Sequence, residues 1–210
     1  KIFQILTHIG HSEKVFVMRV FIAALILIFS LQSWTKADDI RDFEIEGISV
    51  GDSLLNYMTQ TEINNFEKTY YSGSKKYVRL QNNISLNENL KIFDKLSFEV
   101  LNNDKKYVVH AVNGTLTYKN NVKDCYAKME EILNDLTITL GKPITRSYEY
   151  KYPNGRGKSK VSDFDYSNGS IRIWCTDYSQ KAEKNRYHDH LGLVVQSLDH
   201  VYWIKNKAHK

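Results

Sequence analysis

Three histidines late in the chain have the residue type and spacing that could support chemistry. His188 and His190 are two residues apart, so on a β-strand both imidazoles would face the same side and could bind one metal ion. Two ligands make an incomplete site, and the sequence does not assign a third. Together with His200 they form the candidate centre of a hydrolase or a metal-dependent enzyme. The alternative is a solvated loop that leads into the last strand.

A second motif, at Gly157, Lys158 and Ser159, matches the end of a phosphate-binding loop. The pattern fails because Tyr152 occupies the position at which its first glycine is required, and no helical pattern follows. The segment is better explained as part of a strand. We expect no bound cofactor and assign no catalytic residue.

The two cysteines of the chain, Cys125 and Cys175, are predicted to form a disulfide bond. Cys125 lies on the apolar stripe of a predicted helix and Cys175 on the apolar face of a predicted strand, so both should point into one helix–sheet interface. In an exported protein they would meet oxidising conditions, in which disulfides persist. The loop-entropy model gives such a bond about 4 kcal/mol as an upper estimate. The alternative is two separate buried thiols.

Basic residues and aromatic residues suggest two contact surfaces. In an up-and-down meander, the connections at 153–158 and 178–189 emerge at the same end. A basic end of this kind could contact anionic lipid head groups or an acidic partner, and the alternative is ordinary solvated hairpin tips. Its basic residues are Arg156, Lys158, Lys181, Lys184 and Arg186. Trp174 and the tyrosines of segment 148–152 are candidates for a second contact surface, although core packing is the alternative for some of them.

The elements that must position these residues are predicted to form an α+β fold with an antiparallel sheet. Residues 122–140 make the clearest helix, because their apolar residues recur at helical spacing and Gly141 and Pro143 follow as stop signals. Asn168-Gly169 is a strong hairpin signal. Strands are predicted before the helix at 77–80, 96–100 and 107–112, and after it at 144–152, 159–166, 171–176 and 191–197.

Short helices are predicted near 52–58 and 61–66, ahead of the first strands. The predicted order is therefore a helical segment followed by strands, and this order occurs twice along the chain. We expect a helix packed on an antiparallel β-meander, with two helix-plus-strands halves, 38–119 and 120–204, side by side.

The first 37 residues are expected to lie outside this fold. Met18 and Arg19 precede an apolar run at 20–31, which is too short to span a bilayer but has the length of a signal-peptide core. Thr35 and Ala37 are small enough for a cleavage site after Ala37. The alternatives are a buried helix or an N-terminal anchor. The predicted divisions are 1–17 as upstream or mis-assigned residues, 18–37 as a cleaved signal peptide, and 38–210 as the mature domain.

The charge depends on this processing. The 210 residues contain 29 Lys and Arg against 24 Asp and Glu, a net charge of +5, and 42% of the residues are hydrophobic. That hydrophobic fraction excludes a disordered chain. Residues 1–37 hold four basic and one acidic side chain, so the mature chain has a net charge of +2. This near balance argues against nucleic acid as a partner. No other long apolar segment occurs, so we expect no transmembrane anchor after processing.

Two segments resemble known proteins. Residues 38–55 (DDIRDFEIEGISVGDSLL) resemble the start of uncharacterised exported proteins of marine alphaproteobacteria, and residues 118–126 (YKNNVKDCY) are similar to the entry of their central helix. The resemblance covers most of the mature chain and implies no known activity and no catalytic residues. In architecture alone, a helix on a small antiparallel meander also resembles β-lactamase-inhibitor-like periplasmic modules.

These observations predict an exported protein, periplasmic or extracellular, that acts as a non-catalytic binding or interaction module. Its partner would be a protein or a small ligand, with an anionic membrane surface as a further option for the basic end. The alternative is a periplasmic hydrolase or metal-dependent enzyme centred on His188, His190 and His200. The two classes differ because an enzyme needs these side chains to converge in a cleft.

Overall fold

The computed structural model describes residues 39–81, 92–140 and 144–210. The predicted signal peptide at 18–37 and the residues before it lie outside the described part of the chain. The described helices are α1 (Gln60–Asn64), α2 (Val122–Leu140), α3 (Gln180–Glu183) and α4 (Leu198–Asn206).

The described strands fall into three groups along the chain. The first group is β1 (Glu44–Ile45) and β2 (Ile48–Ser49). The second is β3 (Glu67–Tyr70), β4 (Tyr77–Gln81), β5 (Lys95–Leu101) and β6 (Val109–Thr117). The third is β7 (Arg146–Lys151), β8 (Gly157–Tyr166), β9 (Gly169–Tyr178) and β10 (His190–Ser197).

Eight of these strands form one antiparallel sheet, in the order β3-β4-β5-β6-β10-β9-β8-β7, while β1 and β2 form a separate hairpin. The sheet consists of two four-stranded meanders that lie side by side. They meet where β6 pairs with β10, with Val112 opposite Val195. The α+β class and the antiparallel meander predicted from the sequence are confirmed.

The long helix α2 covers one face of the sheet because its apolar residues lie on one side. Cys125, Met129 and Leu133 are buried, and the helix packs against β9 and β10. Asn121 caps its start, since the backbone N–H of Asp124 donates to Asn121 Oδ1 at 3.4 Å. The predicted bounds of this helix, 122–140, are confirmed.

The opposite face of the sheet is only partly covered. Helix α4 follows β10 and packs at one end, where Trp203 and Tyr77 are buried with ring centroids 4.8 Å apart. Successive residues of a strand point to opposite faces. The large aliphatic residues therefore point mostly towards α2, and a mixture of polar and aromatic side chains remains on the other side. We call this side the open face.

Several local expectations differ from the structure. Helix α4 was not predicted, and the helix expected near 52–58 is a single 3-10 turn at Leu54–Asn56. The segment that follows α1 is strand β3, which was not predicted because all four of its residues are exposed and no alternation marks it. The hairpin predicted at Asn168-Gly169 is present, but Tyr166 pairs with Gly169, so the two turn residues are Ser167 and Asn168. Gly169 is the first residue of β9, and a Cβ atom there would lie 2.2 Å from the carbonyl oxygen of Gln196, so only glycine fits.

Candidate ligand-binding site

A concavity of about 350 Å³ lies on the open face of the sheet. Residues of β6, β8, β9 and β10 form its floor, residues of β7 form one wall, and residues of α4, β4 and β5 form another. We call it the open-face concavity. Its volume is at the lower end of the range of about 300 to 1,000 Å³ that is typical of pockets for small molecules.

The floor of the open-face concavity contains an indole that lies on a glycine. In the sheet register Trp174 is opposite both Gly192 on β10 and Val161 on β8. A Cβ atom at Gly192 would lie 2.1 Å from Cζ2 of Trp174, so only glycine leaves room for the ring. Val161 is in turn opposite Tyr148 on β7. One row of the sheet therefore presents a continuous aromatic and apolar surface.

Three tyrosines form the wall at the edge of the sheet. Tyr148, Tyr150 and Tyr152 all line the open-face concavity together with Trp174. The side chains of Tyr148 and Tyr150 are 41% and 49% exposed, so much of their ring surface is available for contact. The aromatic residues that the sequence singled out as a contact surface therefore lie around one depression.

The opposite wall is a buried polar cluster. Glu99 is fully buried, and its Oε1 accepts hydrogen bonds from Arg79 Nε and from the Tyr71 hydroxyl, each at 2.8 Å. The cluster closes because Arg79 Nη2 donates to the Tyr71 oxygen at 2.8 Å. Burial raises the pKa of Glu99, against the opposing effect of the Arg79 charge. Glu99 Oε2 has no hydrogen-bond partner among the described residues.

His200 is a second buried polar side chain at this wall. Its Nδ1 lies 3.1 Å from Gln196 Oε1, and Gln196 Nε2 donates to Ser170 Oγ at 3.1 Å. Because an amide oxygen only accepts, Nδ1 carries the hydrogen and Nε2 is left as an acceptor. Burial, with help from the positive charges of His110, Arg79 and Lys76, lowers the pKa of His200 to about 3. Its Nε2 has no partner within the described ranges.

The charge of Arg172 in the floor is neutralised by Asp163, its neighbour on the adjacent strand β8. Arg172 Nε donates to Asp163 Oδ1 at 2.7 Å, and Arg146 Nη2 donates to Asp163 Oδ2 at 3.0 Å. Asp163 is buried between the two guanidinium groups. Arg146 Nη2 also lies 3.7 Å from Asp165 Oδ2, so two carboxylates compensate the two guanidinium groups and Arg172 is fixed in place.

His190 is tied into the sheet beside this site. Its Nδ1 lies 3.1 Å from the carbonyl oxygen of His188, and its Nε2 lies 3.4 Å from Thr176 Oγ1. Thr176 Oγ1 is in turn hydrogen-bonded to Ser159 Oγ at 2.8 Å, and Ser159 Oγ is hydrogen-bonded to the Tyr152 hydroxyl at 3.1 Å. Burial lowers the pKa of His190. These contacts hold one wall of the concavity rigid.

The three histidines proposed as an enzymatic centre do not converge. His188 and His190 lie at the start of β10, whereas His200 lies beyond its other end, on α4. His188 is exposed and His200 is buried. In the part of the chain that the structure describes, no group of three or more His, Cys, Asp or Glu side chains could hold a metal ion. The metal hypothesis therefore has two candidate ligands and no described third.

A nucleophile motif at residues 47–51 (GISVG) also has an ordinary structural role. The sequence matches the Gly-x-Ser-x-Gly pattern of hydrolases, whose serine sits on a sharp turn between a strand and a helix. Here Ser49 lies in the short strand β2 and is buried. Its hydroxyl donates to the carbonyl oxygen of Phe43 at 3.2 Å. Ser49 therefore stabilises the β1–β2 hairpin through this hydrogen bond.

The predicted disulfide bond is confirmed. Cys125 on α2 is bonded to Cys175 on β9, with their Cα atoms 6.1 Å apart, and both residues are fully buried. The bond joins the helix to the face of the sheet that lies opposite the open-face concavity.

The basic residues are brought to one end of the sheet, as the meander topology requires. The two connections touch, since the backbone N–H of Ser179 donates to the carbonyl oxygen of Arg156 at 2.9 Å. Lys158 is paired with Glu149 at 3.3 Å, and the Arg156 guanidinium lies 5.8 Å from the centroid of the Tyr187 ring. Lys181, Lys184 and Arg186 are exposed. Contact with a membrane or an acidic partner remains a prediction.

Comparisons with protein-family models, with curated proteins and with solved structures find no match.

Among the described residues, no helix combines the length and the apolar character needed to cross a membrane. The predicted signal peptide lies outside these residues.

Several residues of the site carry no signal in the sequence. Arg79 and Glu99 are single charges in alternating strands, and such residues usually face solvent. From the sequence alone, Gly192 is a residue that destabilises a strand, and Gln196 is a polar residue that indicates no binding site. The pairing of Arg79 with Glu99 on adjacent strands, and the stacking of Trp174 on Gly192, appear only once the register is known. The aromatic members could be found because their types are enriched at contact surfaces.

Proposed function

We propose that this protein is an exported, non-catalytic binding module that takes a small ligand in the open-face concavity. The observation that carries the proposal is a depression with an aromatic floor, two of whose buried polar atoms, Glu99 Oε2 and His200 Nε2, have no partner among the described residues. Buried polar groups are nearly always satisfied in folded proteins. A bound ligand that donates hydrogen bonds would satisfy both atoms.

The arrangement of charges supports binding in preference to catalysis. General acid–base chemistry needs a titrating side chain that is free to exchange a proton with the substrate. Glu99 is held in an ion pair with Arg79, and Arg172 is held by Asp163. These groups fix the shape of the site, which is what a binding module requires.

The disulfide bond supports the export part of the proposal. Bonds of this kind persist in oxidising compartments and are rare in reducing ones. Cys125 and Cys175 are bonded and fully buried, as expected of a structural bond. Together with the predicted signal peptide, this favours a periplasmic or extracellular location.

The experiment compares small molecules retained by the purified full-length protein and by a variant with a blocked site. Asn113 lines the floor, and tyrosine suits a strand, so Asn113→Tyr should fill much of the concavity without unfolding the sheet. The protein is incubated with a filtered cell extract, separated from free molecules by gel filtration and denatured, and mass spectrometry identifies what is released. We expect at least one molecule that Asn113→Tyr retains at least tenfold less.

Thr117→Tyr is the matched control. Thr117 lies on the same strand and the same face as Asn113 and is also half-buried, but it does not line the open-face concavity. It should retain the same molecules as the wild-type protein. If wild type retains nothing, or if all three proteins retain the same set, the proposed function is wrong.

A further inference from the structure

We propose that the ligand of the open-face concavity is a small neutral carbohydrate, a monosaccharide or a disaccharide. This inference rests on the proposed function and adds the chemical class of the ligand. It follows from three properties of the site: a flat stacking surface, buried acceptors without donors, and charges that cancel.

The stacking surface is built by Trp174 and its neighbours. The indole lies flat against Gly192, and Val161 and Tyr148 continue the same row of the sheet. A pyranose ring presents a face of C–H groups, and the face of an aromatic ring carries the negative side of its quadrupole. The two surfaces are therefore complementary in shape and polarity. An aromatic ring lying parallel to a pocket floor offers this contact more fully than one standing on edge.

The unpartnered atoms specify a ligand rich in hydrogen-bond donors. Glu99 Oε2 and an unprotonated His200 Nε2 both accept hydrogen bonds, and both side chains line the concavity. Hydroxyl groups donate and accept at once, so a sugar can also meet the side-chain amide of Asn113 in the floor. A purely apolar ligand would leave Glu99 Oε2 and His200 Nε2 without a partner.

The balance of charge favours a neutral ligand. Arg79 is compensated by Glu99 at 2.8 Å, and Arg172 by the buried Asp163 at 2.7 Å. A charged ligand entering a partly desolvated site needs an opposite charge that is free to pair with it. The two arginines that face the concavity are both engaged, so neither an anion nor a cation finds such a partner there.

The experiment titrates the purified full-length protein with neutral sugars and follows the indole N–H signals by heteronuclear NMR, with calorimetry for affinity. The probes are glucose, galactose, N-acetylglucosamine, maltose, cellobiose and N,N′-diacetylchitobiose. We expect at least one of them to shift the Trp174 indole signal saturably and to leave that of the buried Trp203 in place. The Trp174 signal is assigned by its absence from Trp174→Phe. Glucosamine and glucuronate should bind at least tenfold more weakly than the corresponding neutral sugar.

Two variants and one control locate the binding. Trp174→Ala should weaken binding at least tenfold, and Glu99→Gln at least fivefold, because an amide nitrogen replaces an accepting oxygen. Tyr202→Ala should leave it unchanged, since Tyr202 is 62% exposed on α4 and lies outside the concavity. Circular dichroism of each variant verifies that it is folded. If Glu99→Gln fails to fold, Asn113→Tyr replaces it, with loss of sugar binding as the expected result.

One outcome would contradict the carbohydrate proposal and leave the proposed binding function intact. Adenine, a planar ligand that also donates hydrogen bonds and contains no sugar, serves as the competing probe. If adenine binds, shifts Trp174 and is excluded by Asn113→Tyr while no sugar binds, the ligand class is wrong and the binding module stands. If no sugar binds at all, the carbohydrate proposal is overturned, and the extract experiment decides the proposed function on its own.

Discussion

Gly192 and Trp174 meet across β10 and β9, and the fit between them is tight enough for one methyl group to test. A Cβ atom at Gly192 would overlap the indole at Cζ2, Cε2 and Cη2, all within 2.6 Å. The ring cannot sink further because the sheet backbone lies beneath it. Adding the methyl group must lift the indole from the floor or bend the strand.

We therefore expect Gly192→Ala to lower the free energy of unfolding by about 1 to 3 kcal/mol, the usual cost of overpacking. Urea unfolding followed by circular dichroism measures it. In a Trp174→Ala background the same change should cost clearly less, because the overlapping ring is gone. Equal costs in the two backgrounds would show that the contact is not what constrains this position.

His200 makes stability depend on pH with a definite sign. Its pKa in the folded protein is lowered to about 3, chiefly by burial, from an ordinary value of 6.5. The unfolded chain therefore binds a proton near pH 6.5 that the folded protein does not accept until the pH is far lower. The contribution of His200 is complete above pH 6.5 and is lost as the pH falls towards 3.

Replacement of His200 by phenylalanine should flatten this pH dependence. The ring can take the same place beside Tyr77 and Trp203, whose centroids lie 5.0 and 5.7 Å from that of His200. Between about pH 6.5 and pH 4 the wild-type protein should lose up to about 1.4 kcal/mol per pH unit more than His200→Phe. Urea unfolding at several pH values measures both slopes. Parallel slopes would mean that His200 titrates normally in the folded protein.

Among the elements, α2 is attached to the sheet in two ways, by its apolar stripe and by the Cys125–Cys175 bond. The stripe buries Met129 and Leu133 against the sheet, and the bond fixes the first turn of the helix to β9. The bonded residues are separated by 50 positions, so the bond removes a large loop from the freedom of the unfolded chain.

Loss of the bond should be measurable without loss of the fold. The double variant Cys125→Ala, Cys175→Ala should lose about 2 to 4 kcal/mol of unfolding free energy by the loop-entropy argument. Thermal and urea unfolding measure the loss. The wild-type protein treated with a reductant under unfolding conditions should fall to a similar value, while the double variant should not respond to it. A double variant as stable as the oxidised protein would contradict the argument.

The elements also show what local sequence can and cannot predict. Helix α2 was predictable to its bounds because periodicity, a capping residue and a stop signal all lie within it or next to it. Strand β3 was not, because an edge strand with every residue exposed has no buried face to impose alternation. Its pairing with β4, with Lys68 opposite Leu80, is held by backbone hydrogen bonds that any sequence can make.

At the scale of the whole molecule, β10 joins the two meanders. It pairs with β6 along one side and with β9 along the other, so the eight-stranded sheet depends on it. It also lies between α2 and the open-face concavity, with Val195 on one face and Val194 on the other. No local pattern in the sequence predicts that β10 joins the two meanders, because its neighbour β6 is distant in the chain.

Removal of residues 189–210 should therefore abolish cooperative unfolding. The shortened chain lacks β10 and α4, which leaves β6 and β9 with exposed edges and uncovers Tyr77. Circular dichroism during heating should show a broad, shallow change, and light scattering should show aggregation. Removal of His209 and Lys210 alone is the control and should preserve a sharp transition. A sharp transition in the shorter chain would show that each meander folds independently.

The same dependence on long-range pairing explains why the site was less predictable than the fold. The aromatic wall was identified because Tyr148, Tyr150 and Tyr152 alternate along the segment predicted as one strand, of which β7 contains the first two. Glu99 and His200 are far apart in sequence and line one concavity only because β6 and β10 bring the meanders together. Their unpartnered atoms are a property of packing, which residue type alone does not reveal.

The central place of β10 also has a consequence for the order in which the protein is made. Whether it leaves a ribosome or crosses a membrane, a chain emerges with its N-terminal side first, so the first meander appears with β6 lacking a neighbour. It stays incomplete until His190–Ser197 emerges. An open strand edge attracts improper partners during such an interval. Closure of the sheet therefore waits for β10, and the interval before it is when the emerging chain is most exposed to improper pairing.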